Sequence, residues 1–173
     1  MRTLRSLRRR PNGNDYHGMN WIRREKRLAI YLRDGMACCY CGAAVEDGAK
    51  LTLDHLRPYA KGGSNEPANL ITACHRCNAA RGARPWRQFA AAVAGYLNHQ
   101  ITADGIVRHI ERTRRRKLDV PAAKRILSRR SDFAAALQAA VEQAKASERR
   151  REPESSRKAK PVNVRRTLGK GEK

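Results

Sequence analysis

Two short cysteine pairs constrain this chain more than any other feature. Cys38-Cys39-Tyr40-Cys41 and Cys74-His75-Arg76-Cys77 each contain a C-x-x-C knuckle, with 32 residues between them. A knuckle turns two sulfurs toward one point, and two knuckles complete a tetrahedral site suited to zinc. The expected structural ligands are Cys38, Cys41, Cys74 and Cys77. Cys39 is the spare fifth cysteine, too close to Cys41 to match the second knuckle's spacing. Disulfides are the competing reading, and an odd cysteine count without a secretory h-region argues against them. His75 reads as an exposed knuckle residue rather than a fifth ligand. Metal would also supply folding free energy, because the roughly fifty residues around the knuckles bury little apolar surface.

The charge points to a partner. The 173 residues carry 38 Lys plus Arg against 16 Asp plus Glu, a formal charge of +22. Such an excess predicts a polyanion, nucleic acid before an anionic membrane. No apolar run approaches the ~20 residues of a spanning helix. The charge is also unevenly placed. Residues 36–84 hold six basic and four acidic side chains, so the flanks carry +20 of the total. The middle reads as chemistry and the flanks as adhesion.

That middle contains "LTLDHLRPYAKGG", residues 51–63. Leu51 and Leu53 alternate with Thr52 and Asp54, the mark of a half-buried strand, and the strand ends on an Asp-His pair before Pro58 breaks it. A glycine turn at Gly62-Gly63 and a second strand around Leu70-Ile71-Thr72 follow, and then the second knuckle opens a helix.

The run from about Arg23 to Gly82 resembles the zinc-knuckle subtype of the HNH endonuclease family. The resemblance rests on Cys38/Cys41, Asp54-His55-Leu56-Arg57-Pro58, Gly62-Gly63, Asn69-Leu70 and Cys74/Cys77-Asn78. It implies a ββα-metal hairpin and helix; with the four-cysteine zinc site, and with the flanking helices and basic disordered termini read from the rest of the chain, the expected fold class is α+β. The name-giving positions fall on His55, Asn69 and Asn78, the last a variant with Asn in place of His. It implies phosphodiester hydrolysis in DNA, by nick or double-strand break, leaving 5′-phosphate and 3′-hydroxyl ends. His55 is the expected general base, since a neutral imidazole exists near its ordinary pKa of about 6.5. Asp54 and Asn78 are the expected ligands of a catalytic Mg²⁺ or Mn²⁺, a hard ion that takes oxygen ligands. Asn69 is expected to brace the loop and help orient the histidine.

Lys61, Arg76, Arg81 and Arg84 are candidates for DNA backbone contacts. Double-stranded DNA is the expected partner, with RNA less favoured and no membrane, in a cytoplasmic setting of bacterial or phage origin. The rival from another class is a noncatalytic zinc-knuckle protein that binds nucleic acid. Such a protein has no use for Asp54, His55, Asn69 and Asn78 together.

The expected organisation is a basic disordered arm (1–18), the module with its leading helix (19–84), a helical basic extension (85–147) and a disordered basic tail (148–173). Asn20 is the candidate cap of the leading helix, which runs to about Arg33 with Trp21, Leu28, Tyr31 and Leu32 near one face and Gly35 as its stop. In the extension, Trp86, Phe89, Val93 and Leu97 repeat at helical spacing and read as core. Ile106, Val107 and Ile110 lead a second helix into "RTRRRK", and two more are expected at 122–129 and 132–146.

Overall fold

The computed structural model describes residues 21–97, 101–130 and 132–151. Its centre is an antiparallel hairpin of β1 (Leu51–His55) and β2 (Leu70–Cys74), in a register that pairs Leu51 with Cys74 and His55 with Leu70. Six helices surround it: α1 (Arg24–Arg33), α2 (His75–Arg81), α3 (Trp86–Leu97), α4 (Ala103–Arg114), α5 (Val120–Ser128) and α6 (Phe133–Arg151). The fold is α+β, as the sequence indicates. Among the described residues, no helix is long and apolar enough to cross a membrane.

Two strands alone are marginal in water, so the hairpin depends on what covers it. Leu53 and Leu70 join the buried side chains of α1, α5 and α6, whereas Ile71 and Ala73 join the cysteine knuckles, α3 and α4. Every residue of β2 is buried. The extension beyond residue 84 therefore contributes to both cores.

Both edges of the hairpin are capped by groups from neighbouring segments, mostly side chains, which satisfies backbone groups that would otherwise invite strand pairing. On the β1 edge, Tyr31 Oη donates to Leu51 O (3.1 Å), Asn78 Nδ2 to Leu53 O (3.2 Å) and Arg81 Nη1 to His55 O (2.8 Å). The donors meet every second carbonyl, following the two-residue period of a strand. On the β2 edge, Asp34 accepts from Thr72 N (2.6 Å), Cys39 N donates to Thr72 O (2.9 Å) and Arg33 donates to Leu70 O (2.7 Å). Arg33 and Asp34 also pair with each other at 2.6 Å, which locks the end of α1 to the sheet.

Several element boundaries differ from the sequence expectation. α1 begins at Arg24 with Arg23 as an N-cap that offers no side-chain bond, while Asn20 lies outside the described residues. Trp21 precedes the helix and is 40% exposed rather than core. Asp119 caps α5 by accepting from Ala122 N, so Pro121 sits in the first turn, where its missing N–H costs nothing. α6 continues through Arg151, past the point at which the charged tail was expected to lose structure. Glu148 and the arginines after it are good helix formers, and no breaker occurs before Pro153. The expected arm and the rest of the tail lie outside the described residues.

Candidate functional site

The two knuckles come together as their spacing predicts. The sulfurs of Cys38, Cys41, Cys74 and Cys77 lie within 4.8 Å of one another. Cys41 Sγ and Cys74 Sγ are 3.8 Å apart. Zn–S bonds of ~2.3 Å at the tetrahedral angle place sulfurs ~3.8 Å apart, so this donor set fits zinc. The first knuckle is shaped by Cys38 N donating to Ala43 O and Gly42 N donating to Cys38 O, with Gly42 at φ 76°. In the second, Cys74 Sγ caps α2 by accepting from Cys77 N at 3.4 Å.

Four thiols held this close share protons instead of all ionising. Hydrogen bonds from Cys38 and Cys77 pull Cys41 down to about 2. The bond to Cys41 is the main cause pushing Cys38 up to about 12, and bonds to Cys38 and Cys41 drive Cys77 higher still. A dication replaces those shared protons and lets all four act as thiolates. Cys39 stands apart: it is buried, and burial together with Asp34 raises its thiol well above the ordinary range.

A cleft of about 910 Å³ runs alongside β1, lined by Thr52, Asp54, His55 and Asn78 among others. His55 and Asp54 project to opposite faces of the strand. His55 shares the α1 side with Trp21, whose ring lies 4.9 Å from the imidazole, and Tyr59 is 6.1 Å away. His55 Nε2 meets Asn65 Oδ1 at 2.8 Å. With an amide oxygen as acceptor, Nε2 is the donor in this contact, and no hydrogen bond among the described residues engages Nδ1.

Asn69 is a loop brace. Its Oδ1 accepts from Arg57 N (2.9 Å), and its Nδ2 donates to Arg57 O (3.0 Å) and Ser64 O (2.8 Å). None of these hydrogen bonds is to His55. Asn65, the residue after Ser64, makes that contact, so any influence of Asn69 on the imidazole passes through the loop. Gly63 is required in the same loop, because a Cβ there would sit 1.9 Å from Arg57 O.

Asp54 and Arg81 form a buried unit that the sequence reading did not anticipate. The Asp54 carboxylate is 4% exposed, accepts from Tyr40 Oη at 2.8 Å and pairs with Arg81. Burial pushes the Asp54 carboxyl up, while Arg81 and the Tyr40 hydrogen bond pull it back. Burial raises the Tyr40 phenol, which keeps its proton and remains a donor. Arg81 is 2% exposed and also donates to the carbonyls of His55, Leu56 (2.9 Å) and Arg84 (3.1 Å). Arg81 is thus not the surface contact to DNA that its position suggests: its guanidinium is committed to the interior. Lys61, Arg76 and Arg84 are exposed, as phosphate contacts need to be.

Asn78 is fixed by its amide nitrogen, which donates to Thr52 Oγ1 and Leu53 O, both at 3.2 Å. Its oxygen is left for the cleft. A second cation would thus find Asn78 Oδ1 and the unshared lone pairs of Asp54, since a carboxylate offers about four acceptor positions. These residues can accommodate a hard ion, but Arg81 already balances the Asp54 charge. Among the described residues, the cysteines are the sole cluster of three or more His, Cys, Asp or Glu side chains placed to hold a metal.

The family model for HNH endonuclease matches residues 38–84. Residues 38–84 are an HNH endonuclease domain. The chain is 32% identical over 89 residues to a CRISPR-associated endonuclease Cas9 from Corynebacterium diphtheriae, covering 51% of this chain and 8% of that protein. A Cas9 from Actinomyces naeslundii is 37% identical over 65 residues, covering 37% of this chain and 6% of the relative. Among solved structures, the Type II-C Cas9 enzyme from Actinomyces naeslundii matches at 27% identity with a TM-score of 0.33, over 61% of this chain and 13% of that one. The chain therefore spans only a small fraction of the relatives it matches.

The HNH domain holds residues that sequence reasoning missed. Tyr40 lies inside the first knuckle with no motif of its own, and Asn65 looks like an ordinary turn residue. Both act through contacts 14 and 10 residues away.

Proposed function

We propose that this protein is a metal-dependent HNH DNA endonuclease that hydrolyses phosphodiester bonds, with His55 as general base. The observation that carries the reading is the meeting of His55 and Asn78 on one cleft, with the imidazole held at Nε2 so that Nδ1 is the free base. Water attacks phosphorus as Nδ1 takes its proton, and the bond from phosphorus to the 3′ oxygen breaks, that oxygen taking a proton from solvent. The products are a 5′-phosphate and a 3′-hydroxyl end. Trp21 and Asn65 fix the ring in one orientation, which preserves the geometry of attack.

Asn78 Oδ1 and Asp54 would hold the catalytic divalent ion, Mg²⁺ or Mn²⁺. When bound, such an ion supplies charge neutralisation at the phosphate and at the departing oxygen. With Arg81 beside Asp54, the protein alone offers this ion little net negative charge. Its affinity should therefore depend on the substrate phosphate, as is common for Mg²⁺ sites. Zinc in the four-cysteine site is structural, because its tetrahedral shell leaves no open position. Double-stranded DNA is the proposed substrate, supported by the +22 charge and the exposed Lys61, Arg76 and Arg84.

Supercoiled plasmid incubated with the full chain and Mg²⁺ or Mn²⁺ should be nicked or linearised. His55→Ala should lower the rate about 10²- to 10⁴-fold while zinc content and DNA binding persist. Equal cleavage by wild type and His55→Ala would refute the assignment. Tight binding without any cleavage would favour a noncatalytic zinc-knuckle binder.

A further inference from the structure

Three arginines are buried among the described residues, and two of them have obvious employment. Arg33 and Arg81 each pair with a carboxylate and donate to backbone carbonyls. Arg27 does not. It is 8% exposed, its Nε is buried without a hydrogen-bond partner, and none of the ion pairs among the described residues includes it. An Nε–H buried without an acceptor is costly, and the two Nη groups beside it face the cleft, where they are open to an anion from outside the chain.

Its surroundings suit that anion. The Arg27 guanidinium lies 3.7 Å from the centroid of the Phe133 ring, supplied by α6. Stacking on a ring uses the face of a guanidinium and leaves its in-plane N–H groups free, the geometry that receives a phosphate bidentately. Arg27 also lines the same cleft as His55, Asn78 and Lys50. Within that cleft its position can be read from neighbours. Trp21 lies against His55 and Tyr31 bonds Leu51 O, so α1 runs antiparallel alongside β1. Arg27 is one turn, about 6 Å, before Tyr31 and so lies opposite the middle of the strand. That is about two strand residues, roughly 7 Å, from His55. Phosphates of one strand recur about every 3.4 Å of duplex axis, so a phosphate one or two steps from the His55 end falls within reach.

We infer that Arg27, stacked on Phe133, is a receptor for a nucleic-acid phosphate in the His55 cleft, so that helix α6 completes the substrate site. The inference rests on the nuclease reading for its choice of ligand but not on cleavage. It makes Arg27 a group kept at some expense to stability, and Arg27→Met should fold at least as stably as wild type, because Met removes the buried Nε–H that lacks an acceptor.

The test is made in full-length His55→Ala protein, where binding is read without turnover. Affinity for a short DNA duplex is measured over a salt series, and Arg27→Met should reduce the log–log slope by about 0.9, the loss of one phosphate contact. In parallel, the Nε–H resonance of Arg27, identified by its disappearance in Arg27→Lys, should shift saturably with the duplex and far less with inorganic phosphate. An equal shift with inorganic phosphate would point to a site for free phosphate and overturn the assignment to nucleic acid. A destabilised Arg27→Met with an unchanged slope would show a purely structural arginine and also overturn it. Wild-type protein that never cuts plasmid would refute the hydrolase reading alone, since the slope and the resonance decide the role of Arg27 separately.

Discussion

Arg81→Met tests the buried unit beneath the strand that carries Asp54 and His55. The substitution leaves the Asp54 carboxylate 4% exposed without its cation and removes donors from the carbonyls of His55, Leu56 and Arg84. Breaking a buried pair by deleting one partner costs about 3–5 kcal/mol, because an uncompensated charge remains. A small domain has about 5–15 kcal/mol in total, so the loss should be plain in urea unfolding followed by circular dichroism. Asp54→Leu alone should be comparably damaging. The double variant should cost less than the sum by about 1 kcal/mol or more, since no lone charge survives. Cleavage should fall as well, because Arg81 holds the backbone of His55. The salt slope of DNA binding should not change, as Arg81 does not face solvent. A destabilisation below about 1 kcal/mol combined with a slope reduced by about 0.9 would refute this reasoning and restore Arg81 as a surface phosphate contact.

Elemental analysis should find one zinc per chain, unchanged in Cys39→Ser and lost in Cys77→Ala with a loosened fold. Gly63→Ala should disorder the 57–69 loop and reduce cleavage without changing zinc content, because its Cβ has no room beside Arg57 O; a fully active variant would show that the loop does not position His55. His109 is held below the ordinary imidazole value by burial and by Arg112 and Arg116, against Asp34. Its folded pKa is the lower one, so its contribution to stability is present above about pH 6.5 and is lost as the unfolded chain binds a proton that the native state refuses. His109→Gln should therefore lose less stability than wild type between about pH 7.5 and about pH 5.5, and equal losses would refute the role.

The features legible in the sequence are those made by neighbours along the chain. A C-x-x-C knuckle is shaped by its own few residues, so four of five cysteines could be assigned to one centre before any fold was known. The strand ending in Asp54-His55, the helix from Trp86 and the helix after Asp119 declared themselves through periodicity and breakers in the same way. Gly62-Gly63 announced a turn, though not that Gly63 lies against the carbonyl of Arg57.

The tertiary structure decided which charges are interior. Arg81 and Arg84 stand three residues apart with the same side chain, yet one is sealed against Asp54 and the other is exposed. Nothing local separates them, because the difference depends on a carboxylate 27 residues earlier and on helices that close over it. Arg27 is the same case in reverse: its unpaired state depends on Phe133, more than a hundred residues away, whose ring occupies one face and offers no acceptor. Sequence gives each residue its chemistry, but desolvation and pairing belong to contacts between distant segments. Those contacts made one arginine a strut, left one at the surface, and turned a third toward the cleft.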